Sequence, residues 1–299
     1  MSTSNPILTL NNGVQMPALG LGVYQSAPDE TVAAVQTALD VGYRLIDTAA
    51  AYGNEREVGE GIRRSGIARS EVFVTTKLWI SDYGYDEALL GFDASMRRLG
   101  EDYVDLYLLH WPMPTEFERT VAAFHAAEKI LADGRARAIG ICNASPAHLD
   151  ALMDRTDVVP AVNQVELHPY LTQRTLQAHD TDNGIITQAW SPIGGVNVYH
   201  AEDPAHQRNV LAEPVVTAIA DAHGKTAAQV LLRWHLQQGR SAIPKSVKPH
   251  RIAENFDIFD FTLTPEQLAQ IDGVERGLRG GPDPDLFDTS LATFAVDNS

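Results

Sequence analysis

Along this chain a short apolar run is followed by an amphipathic stretch, again and again. The runs are Ala18–Gly20, Arg44–Asp47 (RLID), Val72–Lys77 (VFVTTK), Val104–His110 (VDLYLLH), Ala138–Cys142 (AIGIC), Ala161–Glu166 (AVNQVE), Ile185–Trp190 (IITQAW) and Ser241–Lys245 (SAIPK). The middle ones are almost continuously apolar, as strands covered on both faces must be. Between them the period changes. In 86–99, Leu89, Phe92, Met96 and Leu99 recur at helical spacing, and in 117–131 Phe117, Val121, Phe124, Ile130 and Leu131 do the same. Gly100, Gly134 and Gly239 stand where helices should stop, and Asp29, Ser145, Thr226 and Thr264 where they should start. Pro146 and Pro265 suit first turns. Strands alternating with helices over about 250 residues predict an α/β chain folded as a (β/α)8 TIM barrel, with an open doubly wound sheet as the alternative.

Two segments fall outside the repeat. Residues 7–16 (ILTLNNGVQM) predict an N-terminal β-hairpin turning near Asn12-Gly13 and covering one end of the barrel. Residues 191–212 predict a long loop, of the kind that is usually functional or mobile. No composition shift divides the chain, so 1–299 reads as a single domain. Lys and Arg total 23 against 39 Asp and Glu, a net charge of −16. That surplus argues against nucleic acid and against an anionic membrane surface as partners. Cys142 is the single cysteine, which excludes an intramolecular disulfide framework. His200, His206 and His223 have neither ligand spacing nor cysteine company, so no metal is expected. The start, MSTSNPILTL, lacks a signal-peptide pattern, and no apolar run approaches the ~20 residues of a membrane span; a cytoplasmic protein is the expectation.

Active sites of such barrels lie at the C-terminal ends of the strands. The second run ends in Asp47, with Tyr52 just beyond; the third ends in Lys77, the fourth in His110 and the fifth in Cys142-Asn143. The sixth carries Asn163, Gln164 and Glu166, the seventh ends in Trp190-Ser191 and the eighth in Lys245-Ser246. Singly, each has an ordinary explanation: a helix cap or a structural ion-pair partner for Asp47, a snorkelling surface lysine for Lys77, a loop aromatic for Tyr52, a satisfied core histidine for His110. Together, aimed at one mouth, four such residues are hard to explain as packing, because buried ionisable groups are costly unless paired.

The segments LIDTAAAYGNEREVG, VFVTTKLW, VDLYLLHWP, AIGICNAS, AVNQVELHPY, QAWSPIGG and AIPKSVKPHRIAENFDIFDF, in that order, resemble the successive signatures of the aldo-keto reductase family. The short connection after His110-Trp111-Pro112 is similar to the bacterial branch that includes diketo-gluconate and small-carbonyl reductases. The resemblance implies reduction of aldehydes or ketones with NADPH by a monomeric enzyme. It implies a catalytic tetrad of Asp47, Tyr52, Lys77 and His110, with Tyr52 giving the proton, Lys77 lowering its pKa, Asp47 orienting Lys77 and His110 holding the substrate oxygen.

The same resemblance implies a cofactor site. Asn143 and Gln164 would hold the nicotinamide amide, with Cys142 beside them where the family usually has serine, and Trp190 would stack on the ring. Ser191 and Ile193 would begin the loop over the pyrophosphate, and Gly22, Val23 and Tyr24 would line the nicotinamide end. Lys245, Ser246, Val247 and Arg251 would take the 2′-phosphate, with Glu254 and Asn255 at the adenine. Neither Gly20–Gln25 nor Gly59–Arg64 completes a G-x-G-x-x-G fingerprint, which argues against a Rossmann site. Tyr24, Trp79, His110, Trp111 and Phe287 would bound the substrate, while Glu166 and His168, flanking the sixth strand end, read as supports either of the site's residues or of the fold. Two rival functions remain open at this point: a lyase or isomerase with a Schiff-base Lys77 and Lys245 as phosphate anchor, and a non-catalytic NADPH-binding redox sensor.

Overall fold

The computed structural model describes residues 5–194, 209–290, 294–296 and 298. The chain opens on a hairpin, β1 (Ile7–Thr9) antiparallel to β2 (Gln15–Pro17). Gly13 adopts φ +85° in its turn, which an L side chain would resist. Eight parallel strands follow, β3 (Leu21–Gly22), β4 (Leu45–Asp47), β5 (Phe73–Leu78), β6 (Val104–Leu109), β7 (Ala136–Cys142), β8 (Val162–Glu166), β9 (Ile186–Trp190) and β10 (Ser241–Ala242), paired in sequence order. The sheet closes on itself. Leu19 pairs with Ala242 and Gly22 with Lys245, both parallel, and Gly22 N donates to Pro244 O at 3.0 Å. A Cβ on Gly22 would lie 2.9 Å from Ile243 O, so only glycine lets the two ends of the barrel meet there.

The helices α1 (Pro28–Val41), α2 (Glu55–Ser65), α3 (Tyr85–Leu99), α4 (Phe117–Ala132), α5 (Pro146–Met153), α6 (Arg174–Asp182), α8 (Ala227–Gln237) and α9 (Pro249–Phe256) follow the strands one by one; α7 (Pro214–His223) and α10 (Pro265–Asp272) are additional. The (β/α)8 barrel with its hairpin is therefore as expected, and the open doubly wound sheet is not. Ser145, Thr226 and Thr264 do cap helices, each in a capping box. Asp29 does not: Pro28 already occupies the first helical turn, so Ala27 is the cap and Asp29 lies one residue inside, where its charge meets the helix dipole. Most of the expected 191–212 loop lies outside the described residues.

Strand alternation builds two cores. Leu45, Phe73, Leu106, Leu108, Ala138 and Val162 point into the barrel, where Leu10 and Met16 of the hairpin pack against them. Ile46, Val74, Tyr107, Leu109, Ile139 and Val165 point outward under the helices. The same parity decides where the polar residues go. Asp47 shares the inward face of Leu45, and Gln164 that of Val162. Asn163 shares the outward face of Val165, where it donates to Ala144 O at 3.0 Å behind the barrel wall.

Candidate active site

Asp47 ends β4. The chain then makes one 3-10 turn, Ala50–Tyr52, closed by Gly53 at φ +67°, which brings the Tyr52 ring back over the strand ends. Lys77, two residues along β5 from Thr75, points inward beside it. The Lys77 ammonium donates to Asp47 Oδ1 at 2.6 Å, to Thr48 O at 2.8 Å and to the Tyr52 hydroxyl at 3.2 Å. Asp47 and Lys77 are fully buried and Tyr52 is half-buried. His110 follows β6; its ring is 5.6 Å from that of Tyr52, and its Nδ1 is buried with no partner among the described residues. The four residues expected as a tetrad are thus brought together.

The electrostatics have a definite sense. Burial disfavours the Lys77 ammonium, but Asp47 and Tyr52 overcome it and hold the lysine protonated, its pKa above the ordinary value. Burial pushes the Asp47 carboxyl up, against the pull of Lys77 and Gln164. Burial also pushes the Tyr52 phenol up, to about 12, and outweighs the lowering by Lys77. The expected net depression of the Tyr52 pKa is therefore not found: the lysine's field is present, but desolvation wins. His110 is held well below the ordinary imidazole range by burial first and Lys77 second, so its ring is neutral at pH 7. Burial raises the Cys142 thiol, and Cys142 Sγ is 4.0 Å from Gln164 Oε1, a weak contact. A nucleophilic role for Cys142 has no support in this setting.

A second chain of hydrogen bonds crosses the barrel behind the tetrad. Gln164 Nε2 donates to Asp47 Oδ2 at 2.8 Å and to Gln188 Oε1 at 2.7 Å, and Gln188 Nε2 donates to Ser241 Oγ at 2.9 Å. Gln188 is not among the site residues that the sequence predicts. Its signal was a glutamine inside an otherwise apolar run, at the inward parity. Asn143 adopts φ +60°, a conformation asparagine tolerates better than most residues. Its Nδ2 donates to His110 O at 3.1 Å, and its Oδ1 accepts from Trp190 Nε1 at 2.8 Å. Ser191 follows at φ +49°, and Ile193 packs against the outer core.

Aromatic rings wall the mouth. Tyr24, an exposed residue, meets Tyr52 edge-on at 5.1 Å, and Trp79 meets His110 at 5.2 Å. Phe287 from the C-terminal tail stacks on Trp111 at 4.0 Å and lies 6.2 Å from Trp79. Val23 is buried, and its carbonyl accepts from Asn54 Nδ2 at 2.8 Å. The basic segment leaves the barrel at Lys245, which pairs with Gly22 and so starts at the same rim. Lys245, Lys248 and Arg251 are exposed and form no ion pair among the described residues, with Ser246 and Val247 half-buried between them. Asn255 is buried. Glu254 is partly turned to another task, its Oε1 accepting from Thr226 Oγ1 at 2.8 Å.

Among the described residues no group of His, Cys, Asp and Glu is arranged to hold a metal ion, and no helix is long and apolar enough to cross a membrane. His200 and His206 lie outside the described residues. Glu166 accepts from Gly280 N and Gly281 N of the tail that bears Phe287, and His168 Nε2 lies 3.0 Å from Glu166 Oε1.

Comparison with known proteins gives one answer. The sequence model described as Aldo/keto reductase family matches residues 17–276. The chain is 56% identical to morphine 6-dehydrogenase of Pseudomonas putida, covering 97% of this chain and 98% of that protein. It is 44% identical to the methylglyoxal reductase DkgA of Escherichia coli, covering 95% and 99%. A solved aldo-keto reductase of Bombyx mori in complex with NADP superposes with a TM-score of 0.87 at 34% identity, covering 95% of this chain and 97% of that one. With a barrel of this topology and the family model matched over residues 17–276, the chain belongs to the aldo-keto reductase family.

Proposed function

We propose that this chain reduces aldehydes and ketones to alcohols with NADPH, and that Tyr52 gives the proton to the carbonyl oxygen. The observation that carries the reading is the Asp47–Lys77–Tyr52 chain, sealed at its inner end and opening on an aromatic-walled mouth. When bound, the reduced nicotinamide supplies hydride to the carbonyl carbon.

The residues present fit that cofactor. Three cations with no carboxylate within ion-pair distance among the described residues, gathered near the start of α9, suit a terminal phosphate in a chain whose net charge is −16. Gly22, backed directly on Ile243 O, leaves room where a side chain has none. Asn143, Gln164, Trp190, Ser191 and Ile193 are the residues that would hold the nicotinamide half, Lys245, Ser246, Val247 and Arg251 the 2′-phosphate, and Glu254 and Asn255 the adenine. The solved Bombyx mori relative carries NADP, which supports the choice of cofactor.

The chain's own groups divide the chemistry. Asp47 keeps Lys77 charged and aimed. Lys77 donates to the Tyr52 oxygen, so the phenol's own proton must point elsewhere, and the mouth is the open direction. At neutral pH the phenol is protonated, the form an acid needs. Its weakness as an acid is offset in the transition state, where the oxygen that loses the proton meets the ammonium and the carbonyl oxygen gains basicity. Neutral His110 offers an N–H to that oxygen without competing as an acid. Trp79, Trp111, Tyr24 and Phe287 exclude water and orient the substrate. All these groups belong to one chain and one domain, so a monomer suffices, and nothing in the chemistry calls for a compartment other than the cytoplasm.

A Schiff-base role for Lys77 finds no support, since that chemistry needs a neutral amine with access to substrate and Lys77 is charged and fully buried. The decisive experiment follows loss of NADPH absorbance over methylglyoxal-like aldehydes, sugar-derived dicarbonyls and aromatic aldehydes, with NADH alongside. Faster oxidation of NADPH than of NADH is expected. Tight NADPH binding with no turnover on any carbonyl would leave a binding module instead.

A further inference from the structure

Glu166 is a buried carboxylate that the reaction leaves unused. It ends β8 on the inward face and is 1% exposed. Its Oε1 accepts from Gly280 N at 2.7 Å and its Oε2 from Gly281 N at 2.9 Å, so one carboxylate grips two successive peptide groups more than a hundred residues away. His168 Nε2 lies 3.0 Å from Oε1, and the Arg279 guanidinium 3.9 Å from Oε2. His168 and the two amides outweigh burial and hold the carboxyl below its ordinary range, so the charged, doubly accepting form is the one present.

What lies against the gripped peptide gives it consequence. A Cβ on Gly281 would be 2.5 Å from Trp190 Cη2, so the tail backbone rests on the edge of that indole, whose far side is tied to Asn143. Upstream, Arg276 N and Leu278 N donate to Tyr170 O, and Glu275 accepts from Thr172 N. Downstream, the tail has no helix or strand to stiffen it before Phe287 reaches Trp111.

We propose that Glu166 is a positioning residue: its carboxylate clamps the tail at Gly280-Gly281 against Trp190 and thereby holds Phe287 over the substrate side of the mouth. The role rests on the carbonyl-reductase reading, but the clamp itself can be read without turnover. Glutamine in place of Glu166 keeps the shape and loses the ability to accept from both amides, since one end becomes a donor.

The test uses the full chain. In Glu166→Gln, trypsin cleavage after Arg279, followed by mass spectrometry on enzyme without cofactor, is expected to quicken about tenfold, as opening of a segment released from a charged acceptor should. KM for a reduced carbonyl should rise about fivefold with kcat within about twofold, the pattern of lost binding rather than lost chemistry. Phe287→Ala should raise KM likewise, and the double variant should be no worse than the worse single one, because both act through the same tail. Gly281→Ala, which keeps the carboxylate but intrudes on Trp190, should also speed the cleavage. Unchanged cleavage in Glu166→Gln, or KM effects that multiply fully in the double variant, would overturn the proposal. Failure of every variant and the wild type to reduce any carbonyl would strike the functional reading, while the cleavage rates still judged the clamp.

Discussion

Lys77 and Asp47 stand 2.6 Å apart, both sealed from water, on neighbouring strands of the barrel. The third partner of that ammonium is the Tyr52 hydroxyl. The pair is therefore a structural necessity, since neither charge tolerates burial without the other, and it is also the device proposed to act on Tyr52. The two roles separate experimentally.

Asp47→Ala leaves an ammonium buried with no counter-charge. Removing one partner of such a pair costs about 3–5 kcal/mol, so a large fall in the urea midpoint is expected. Exchanging both Asp47 and Lys77 for apolar residues of similar volume should recover much of that stability and none of the activity. A single variant as stable as the wild type would show that the pair is not what holds the rim together.

Tyr52→Phe removes the hydroxyl proposed as proton donor and little volume. Reduction should fall by about 10²–10⁴, the usual worth of a placed general acid. NADPH affinity, followed by fluorescence titration, should stay near that of the wild type. Comparable turnover in the variant would refute the assignment of Tyr52.

The pH profile follows from the same group. In the proposed reaction reduction uses the phenol, which burial pushes up to about 12, so the acid form is complete across pH 6–9 and kcat/KM should be flat there. His110, held neutral by burial and Lys77, adds no loss as pH falls through 6.5. Oxidation of an alcohol uses the phenolate, whose fraction grows roughly tenfold per pH unit below its pKa, so the reverse rate should climb steadily with pH. Steady-state rates in both directions over pH 6–10 check this, and a reverse rate that ignores pH would contradict it.

Arg251→Ala should weaken NADPH more than NADH, because the exposed guanidinium near the start of α9 is assigned to the 2′-phosphate and NADH has none. Equal losses for the two cofactors in fluorescence titrations would remove Arg251 from that site.

Asp180 makes a prediction about stability alone. Buried behind β9, it accepts from Thr187 Oγ1 at 2.7 Å and from Asn163 Nδ2, yet burial pushes its carboxyl up to about 6. A folded pKa above the unfolded value means the native state binds the extra proton. That contribution is complete below about pH 4, the unfolded carboxyl range, and is lost as pH rises through 6. Asp180→Asn should therefore be more stable than the wild type at pH 8, by roughly 2–3 kcal/mol at most, and should lose the slope between pH 4 and 6. Urea melts at several pH values decide it.

Much of this molecule is legible in one dimension. Parallel strands covered on both faces must be short and apolar, and the helices between them must show one greasy face; both patterns are local and survive without knowledge of partners. Asp47, Lys77 and His110 were found because charged or polar residues end runs that are otherwise apolar, and Ser145, Thr226 and Thr264 because capping chemistry is local. What the tertiary structure decided is everything that depends on which distant atoms arrive. Parity against the closed barrel sent Gln164 inward and its neighbour Asn163 outward. Exclusion of water turned the net shift of Tyr52 upward despite the lysine beside it. Only folding could bring Gly280 and Gly281 to Glu166. Desolvation and long-range hydrogen bonding are properties of an enclosed volume, and a linear sequence encloses nothing until the barrel shuts.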